Sequence, residues 1–279
     1  MFASLCNFAR RDPLGFIGLV LVALILFAGL FGGWLAPYSP SRIDVPARLL
    51  APSWEHVMGT DKLGRDVFSR VLAGSALALQ IGIVTVGLSM VIGTVFGLVA
   101  GFGPRWLDSL LLLIFDTTYS FPTVILGLAL VTLFGPSTTT LMGLIMLFLI
   151  PSYARLVRSS TLAAKGADYV LALRSIGASP LRILGVHVLP NVIGPVIIVA
   201  CMDVPAIIAL EAGLTYLGLS VPPPAPSWGR ILEEGTASIR EAPWIVMAGG
   251  LPIILATLGF TFLGESLRDR LDPKRKGRA

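Results

Sequence analysis

The sequence predicts an all-α, polytopic membrane protein with about six transmembrane helices. Hydrophobic residues make up 55% of the 279 residues and charged residues only 13%, whereas soluble domains carry about 25% charged residues. Several uncharged runs could cross a hydrocarbon core of about 30 Å at about 1.5 Å per residue. The net charge of +5 lies in short segments between these runs, which indicates a membrane-orientation signal. We therefore expect contact with membrane lipid and none with nucleic acid.

The first apolar run predicts a transmembrane helix over residues 13–37, after an N-terminal segment of residues 1–12 that contains Arg10 and Arg11. The run is longer than the apolar core of a secretory signal peptide, which has about 7 to 15 residues. Its end, Trp34-Leu35-Ala36-Pro37, also lacks a cleavage site of the small-x-small type. We therefore expect this helix to remain uncleaved.

A polar, proline-rich segment over residues 38–75 precedes a predicted five-helix core over residues 76–264. Glycines in the second predicted helix would let neighbouring helices approach closely in lipid. These are Gly82, Gly87, Gly93 and Gly97. The predicted spans of the core are residues 76–101, 107–133, 138–157, 183–219 and 244–264. Pro122 lies in the span 107–133, and Pro151 interrupts the span 138–157. The span 183–219 is broken by Pro190, Pro195 and Pro205.

The distribution of Lys and Arg predicts that both termini lie in the cytoplasm, so that residues 38–75 and an outer loop over 220–243 are periplasmic. With this orientation the outer segments contain seven of the 21 Lys and Arg residues, namely Arg42, Arg48, Lys62, Arg65, Arg70, Arg230 and Arg240. The other fourteen lie in inner segments, including a basic tail over residues 265–279. Because inner loops are enriched in these residues, the opposite orientation is disfavoured.

A polar island over residues 168–191 should also lie on the cytoplasmic side. Asp168 could cap a helix over residues 169–176, and Gly177 favours the left-handed conformation that ends one. Ser179 could then cap a second short helix with Pro180 at its first position.

One face of the first predicted helix is apolar. Tyr169, Val170, Leu173 and Ile176 form one stripe, and Arg174 points elsewhere. Such a face either lies on lipid headgroups or fills a groove in a soluble partner.

The island resembles the EAA loop of permeases in binding-protein-dependent ABC importers. That motif reads Glu-Ala-Ala, three residues, Gly, nine residues, then Ile-x-Leu-Pro. Here Leu171, Ala172 and Leu173 take the first three places and Gly177 takes the glycine position. The motif ends at His187, Leu189 and Pro190. Leu171 stands where the family has Glu.

Three further segments resemble the dipeptide, oligopeptide and nickel branch of this family, in its C-type permeases. They are GTDKLGRDVFSR near residue 60, EAGLTYLGLSVPPPAPSWGRILEEG from Glu211, and the C-terminal GESLRDRLDPKRKGR. With residues 151–191, the resemblance covers most of the chain from residue 56 onward.

The resemblance implies a permease subunit of an ATP-driven ABC importer in the bacterial cytoplasmic membrane, which moves peptides or a related small solute inward by alternating access. It implies a heterodimer with a second, homologous permease, one or two cytoplasmic ATPases that hold ATP and Mg, and a periplasmic or lipid-anchored binding protein. It assigns residues 158–187 to a loop that couples the permease to the ATPase. The coupling residues would be Tyr169, Val170, Leu171, Ala172, Leu173, Arg174, Ile176 and Gly177.

Three carboxylates fall within apolar runs. Asp116, Asp203 and Glu211 would each cost about 2.5 to 3.5 kcal/mol at the centre of a bilayer, so they should face the bundle interior, a cavity or a helix end. One of them could line the solute path. Alternatively, Asp116 and Asp203 bond neighbouring helix ends, and Glu211 sits near the outer surface.

Catalytic and metal sites are not expected. His56 and His187 fall on opposite sides of the predicted membrane, and Cys6 is far from Cys201, so no ligand set converges. Residues 59–64 have the spacing of a phosphate loop but lack the Lys and the Ser or Thr that follow in one. We expect no bound cofactor. One competing hypothesis is a carrier driven by an ion gradient, for which the carboxylates Asp116 and Asp203 and the proline breaks in the helices offer some support. The other is a membrane scaffold.

Overall fold

The computed structural model describes residues 10, 12–218 and 223–271. Within these residues, five helices are long and apolar enough to cross a membrane, and up to six spans result if a bent helix pair counts as one. The predicted all-α architecture with about six spans is confirmed. In chain order the helices are α1 (Pro13–Leu35), α2 (Val67–Phe102), α3 (Arg105–Tyr119), α4 (Thr123–Phe134), α5 (Thr138–Lys165), α6 (Asp168–Ser175), α7 (Pro180–Tyr216), α8 (Trp228–Thr236) and α9 (Pro243–Leu271).

The first helix is fixed at its N-terminus to the last one. The Asp12 carboxylate accepts hydrogen bonds from the Gly15 amide (2.9 Å) and from the Ser266 hydroxyl of α9 (2.5 Å). The Ser266 hydroxyl and then the Gly15 amide lower the pKa of Asp12, because both donate to its charged form. Most of the predicted N-terminal segment, Cys6 and the end of the basic tail lie outside the described residues.

Helix α2 begins earlier than the sequence predicted. It starts at Val67, inside the polar, proline-rich segment that we placed before the helical core, up to residue 75. The Asp66 carboxylate, just before the helix, accepts from the Ser69 amide at 2.8 Å. The buried Arg70 lies in the first turns, and this charge masked the start of the helix in the apolar pattern. Residues Gln80–Val84 form a π-helical turn within α2.

Glycines bring α2 close to its neighbours, as predicted for three of the four positions. A Cβ on Gly97 would lie 2.6 Å from the carbonyl oxygen of Ala154 in α5, and one on Gly93 would clash with Tyr153. Gly82 faces Ile208 of α7 in the same way. The fourth, Gly87, would have no atom within 4 Å of a Cβ, so it does not serve close packing.

The predicted single span over residues 107–133 is broken. Helices α3 and α4 meet at an angle of 89°, and Pro122 directly precedes α4. Because the residue before a proline avoids the helical conformation, the chain bends here.

Prolines elsewhere do not break the helices, contrary to our expectation. Helix α5 continues through Pro151, and α7 continues through Pro195 and Pro205. A π-helical turn at Ile183–Val188 precedes Pro190 within α7. Packed helices in a membrane tolerate proline because neighbouring groups satisfy the carbonyls that it leaves free.

The predicted outer loop, residues 220–243, contains the short helix α8 in its described part. The Trp228 indole donates to the Val71 carbonyl of α2 at 3.0 Å, and a Cβ on Gly229 would lie 2.5 Å from the Ala212 carbonyl oxygen of α7. We call this end of the bundle the α8 end and the opposite one the α6 end.

Candidate functional site

The short helix α6 lies between α5 and α7 and corresponds to the first half of the polar island. We expected Asp168 to cap this helix, but the structure shows otherwise. Ala167 occupies the cap position without a side-chain hydrogen bond, and Asp168 is the first helical residue. A carboxylate there still complements the positive end of the helix dipole.

Gly177 ends α6 as predicted. Its φ of +80° is left-handed, a conformation that glycine adopts without steric cost. The Ala178 amide donates to the Leu173 carbonyl and the Gly177 amide to the Arg174 carbonyl, both at 3.0 Å. These two bonds form a Schellman motif, which fixes the direction of the chain after α6.

The chain after Gly177 starts a span and not a second short helix. The Ser179 hydroxyl accepts from the Arg182 amide at 3.4 Å and Pro180 is the first helical residue, as predicted. The helix then continues to Tyr216. The island is therefore one short helix joined by a tight turn to the first turns of α7.

The predicted apolar stripe of α6 is divided between two surfaces. Val170 is fully buried and Leu173 packs beside it against the core of the bundle. Tyr169 is 40% exposed and Ile176 is 80% exposed. The stripe does not form one partner-facing surface, because the protein's own bundle covers its centre.

A different set of apolar residues on α6 faces outward. Leu171 and Ala172 are exposed together with Tyr169 and Ile176. Leu181, the second residue of α7, is 82% exposed. We call these five residues the α6 face. Because large exposed apolar patches mark interaction sites, the α6 face is the candidate docking surface.

Arg174 fastens α6 to the end of α2. Its guanidinium carbon lies 5.0 Å from the centre of the Phe102 ring, a distance at which a cation is attracted to the ring face. Lys165, the last residue of α5, donates to the Phe102 carbonyl at 3.1 Å. The ends of α2 and α5 therefore meet beside α6.

Asp203 joins the helices on either side of α6. Its carboxylate, which is half-buried in α7, accepts a hydrogen bond of 2.6 Å from the hydroxyl of Tyr153 in α5. Tyr153 is fully buried. The contact satisfies one polar group in each helix and ties the two spans together.

Asp116 lies in a more open position. It pairs with Arg155 of α5 at 2.7 Å, and the two side chains are 67% and 42% exposed. Arg155 also lies over the ring of Tyr119, 4.8 Å from its centre. Nearer the α6 end, Asp108 forms two hydrogen bonds with Arg158, at 2.5 and 2.7 Å. Both ion pairs connect α3 to α5.

Glu211 is buried inside the bundle and is only 1% exposed. The Thr215 hydroxyl donates to its Oε1 at 2.8 Å. Its Oε2 has no hydrogen-bond partner within the described part of the chain. Asp116, Asp203 and Glu211 therefore each have a different partner, and the structure does not bring them together in one site.

A buried ion-pair cluster at the α8 end was missed by the sequence reasoning. Asp61 binds Arg65 at 2.7 Å and also binds Arg70, while Glu234 of α8 binds the same two arginines at 2.9 and 2.5 Å. Asp61 and Arg70 are each 1% exposed. The segment GTDKLGRDVFSR contains three of the four residues, but a sequence pattern does not reveal Glu234 as their partner.

Family models match most of the chain. The model described as "Binding-protein-dependent transport system inner membrane component" matches residues 93–277. The model described as "N-terminal TM domain of oligopeptide transport permease C" matches residues 9–52.

Similar proteins include peptide permeases along nearly their whole length. The dipeptide transport system permease protein DppC of Alkalihalophilus pseudofirmus is 36% identical, over 96% of this chain and 88% of the relative. The di/tripeptide transport system permease protein DppC of Pseudomonas aeruginosa is 38% identical, over 94% of this chain and 88% of the relative. The glutathione transport system permease protein GsiD of Escherichia coli is 38% identical, over 96% and 89%.

The fold is similar to that of a solved transporter. A chain of the MetNI methionine ABC transporter, in an inward-facing conformation, superposes with a TM-score of 0.57 and 17% sequence identity. The match covers 73% of this chain and 96% of that chain. This likeness concerns the fold alone.

Proposed function

Because the chain belongs to the family of inner membrane components of binding-protein-dependent transport systems, we propose that it is the permease subunit through which an ABC importer takes up short peptides. Membership in this family makes it a transmembrane subunit of an ABC importer, so a carrier driven by an ion gradient is excluded. The peptide class rests on the relatives, whose names specify dipeptides, di- and tripeptides, and glutathione.

The assembly that we infer contains partners for each step that this chain does not perform. A second, homologous permease completes the transmembrane pathway as a heterodimer, and one or two ATPases bind ATP and Mg. A binding protein, periplasmic or lipid-anchored, delivers the peptide. The excess of Lys and Arg in inner segments supports a cytoplasmic α6 end, cytoplasmic termini and a location in the bacterial inner membrane.

The observation that carries the proposal is the α6 face. Val170 and Leu173 pack α6 onto the bundle, while Leu171, Ala172 and Ile176 remain exposed. Apolar side chains on a short, firmly attached helix suit a groove in a soluble partner. Since Leu171 replaces the glutamate of the family motif, the contact at this position is apolar here.

The contacts around α6 would transmit movement of an ATPase to the spans. Arg174 connects α6 to Phe102 at the end of α2, and Lys165 joins the end of α5 to the same residue. The turn at Gly177 leads directly into α7. A push on α6 therefore acts on three spans together. Rocking of such rigid elements against the second permease would alternate access to the two sides.

We place Asp116 on the solute path, together with Asp203, whose carboxylate is only half-buried although it accepts from Tyr153. We assign Glu211 a role in fixing helices. The pair formed by Asp116 and Arg155 is exposed within helices α3 and α5, and charges in membrane helices face a protein partner or water rather than lipid. Glu211 has no comparable exposure.

The proposal can be tested by isolating the tagged protein from native membranes in mild detergent and identifying its partners by mass spectrometry. We expect a second permease and one or two ATPases with a phosphate-binding loop. Reconstitution of that complex with its binding protein should then give ATP-dependent uptake of a di- or tripeptide. A folded chain recovered alone, or a complex that transports only non-peptide solutes, would contradict the proposal.

A further inference from the structure

The loop between α1 and α2 has two chemically different sides near residue 55. Glu55 and His56 line a polar cleft with Tyr38, Arg42 and Asp44. On the other side, Trp54 is fully exposed and Val57 is 58% exposed. Nothing in the import mechanism uses these two apolar residues. Trp54 and Val57 line one shallow depression together with Pro52 and Ser53, and contiguous exposed apolar surface marks an interaction site.

The apolar side of the loop continues onto the start of α9. Val57 and Met58 form a shallow groove with Trp244, Met247 and Leu251 of that helix. From the groove an exposed apolar stripe extends along α9, at helical spacing. It consists of Met247, Leu251, Ile254 and Leu258.

The length of α9 sets the depth of this groove in the membrane. Its uncharged part, residues 243–264, is about 33 Å long at about 1.5 Å per residue, close to the hydrocarbon thickness of about 30 Å. The whole of this part is therefore needed to cross the core. Trp244 and Leu251 must then lie in the membrane leaflet at the α8 end, and the loop residues that contact them lie at the surface of that leaflet.

The pairing of α1 with α9 gives the same depth independently. A Cβ on Gly15 would contact Ser266, and one on Gly259 would contact Leu21 and Val22, so the helices are antiparallel. Continuing this register places Trp34 level with Met247. Trp34 is 88% exposed, and tryptophan concentrates at the interface between lipid and water.

We propose that Trp54, Val57, Met247 and Leu251 bind a phospholipid of the leaflet at the α8 end. An acyl chain lies along Met247 and Leu251, and the Trp54 indole lies at the level of the glycerol backbone. Lipid is the occupant because the patch is continuous with the exposed stripe of α9 and lies at the depth of Trp34. The loop is thereby held against the membrane, with its polar cleft turned to water.

Nitroxide labels on single cysteines would test this proposal in the complete importer, reconstituted in phospholipid bilayers and free of other accessible cysteines. Labels at Trp54→Cys, Val57→Cys and Met247→Cys should collide several-fold more with oxygen, which partitions into lipid, than with a water-soluble nickel chelate. Glu55→Cys is the matched control, because it neighbours Trp54 but lines the polar cleft. It should show the reverse preference.

Each other outcome would overturn the lipid assignment. A label at position 54 that collides with nickel as readily as the label at 55 would place Trp54 in water. Protection from both reagents would show that another protein covers these residues. That protein would be the binding protein if protection arises only when the binding protein is added, and otherwise the second permease. A second measurement uses Trp54→Phe, which changes only a fully exposed side chain, in bilayers of brominated phospholipid. The fraction of tryptophan fluorescence that the bromines quench should fall.

Discussion

The hydroxyl of Tyr153 in α5 donates a hydrogen bond of 2.6 Å to the carboxylate of Asp203 in α7. These two spans precede and follow α6, so the contact links the two helices to which the proposed coupling helix is joined. We call this linked pair of spans the frame. We therefore expect a force applied to α6 to move both spans together.

We expect Tyr153→Phe to weaken this frame. It removes the donor and leaves the Asp203 carboxylate without that hydrogen bond, which costs about 1 to 3 kcal/mol for a buried polar group. The purified importer should unfold at a lower temperature, and peptide uptake per ATP hydrolysed should fall. Tyr119→Phe, which removes a hydroxyl from a more exposed side chain, is the control and should change both values less. An unchanged uptake ratio in Tyr153→Phe would contradict the frame.

Gly177→Val should uncouple ATP hydrolysis from uptake. The φ of +80° at Gly177 is strained for a β-branched residue, so the turn and the direction of α6 should change. Apart from the residues next to Gly177 in the chain, no described atom lies within 4 Å of the added Cβ, so the protein should still accumulate in the membrane. Gly166→Ala, on the other side of α6, has ordinary space and backbone and should transport normally. Normal uptake by Gly177→Val would count against the coupling assignment.

Cysteines on α6 should distinguish its two surfaces. Leu171→Cys and Ile176→Cys lie on the α6 face and should crosslink to an ATPase subunit with a short bifunctional reagent. Val170→Cys, which is buried in the bundle, should not. Labelling of positions 171 and 176 by lipid-soluble probes, without any crosslink to an ATPase, would instead show that α6 lies on lipid headgroups.

Gly97→Ala should destabilise the bundle, whereas Gly87→Ala on the same helix should not. The added Cβ at Gly97 would lie 2.6 Å from the Ala154 carbonyl oxygen. A Cβ added at Gly87 would have no neighbouring helix within 4 Å. Overpacking of this kind costs about 1 to 3 kcal/mol. Thermal unfolding of the two purified variants measures the difference, and equal values would show that α2 and α5 are not in close contact.

Asp61→Asn should be among the most destabilising single changes at the α8 end. Arg70 is fully buried and would lose a charged partner, and breaking a buried ion pair costs about 3 to 5 kcal/mol. Glu233→Gln breaks a more exposed, partly buried pair with Arg230 and should cost less, about 1 kcal/mol. The midpoint of thermal unfolding provides the comparison. Similar midpoints for the two variants would show that Glu234 alone suffices for the two arginines.

The sequence by itself determined the membrane class, about six spans and the turn at Gly177. These depend on apolar length and on backbone preferences, which are local properties of the chain. The first residues after the turn, Ser179 and Pro180, were predictable for the same reason.

Only the tertiary structure decided which residues of α6 face outward, where α2 begins, and how α3 and α4 bend. Helical periodicity places Val170 and Ile176 on one stripe, but the bundle covers Val170 and leaves Ile176 exposed. In the same way, the polar segment around Arg70 does not reveal that Glu234, far away in the chain, joins Asp61 in pairing with Arg70 inside a helix. Burial and ion pairing depend on residues distant in sequence, so a pattern along one segment cannot specify them.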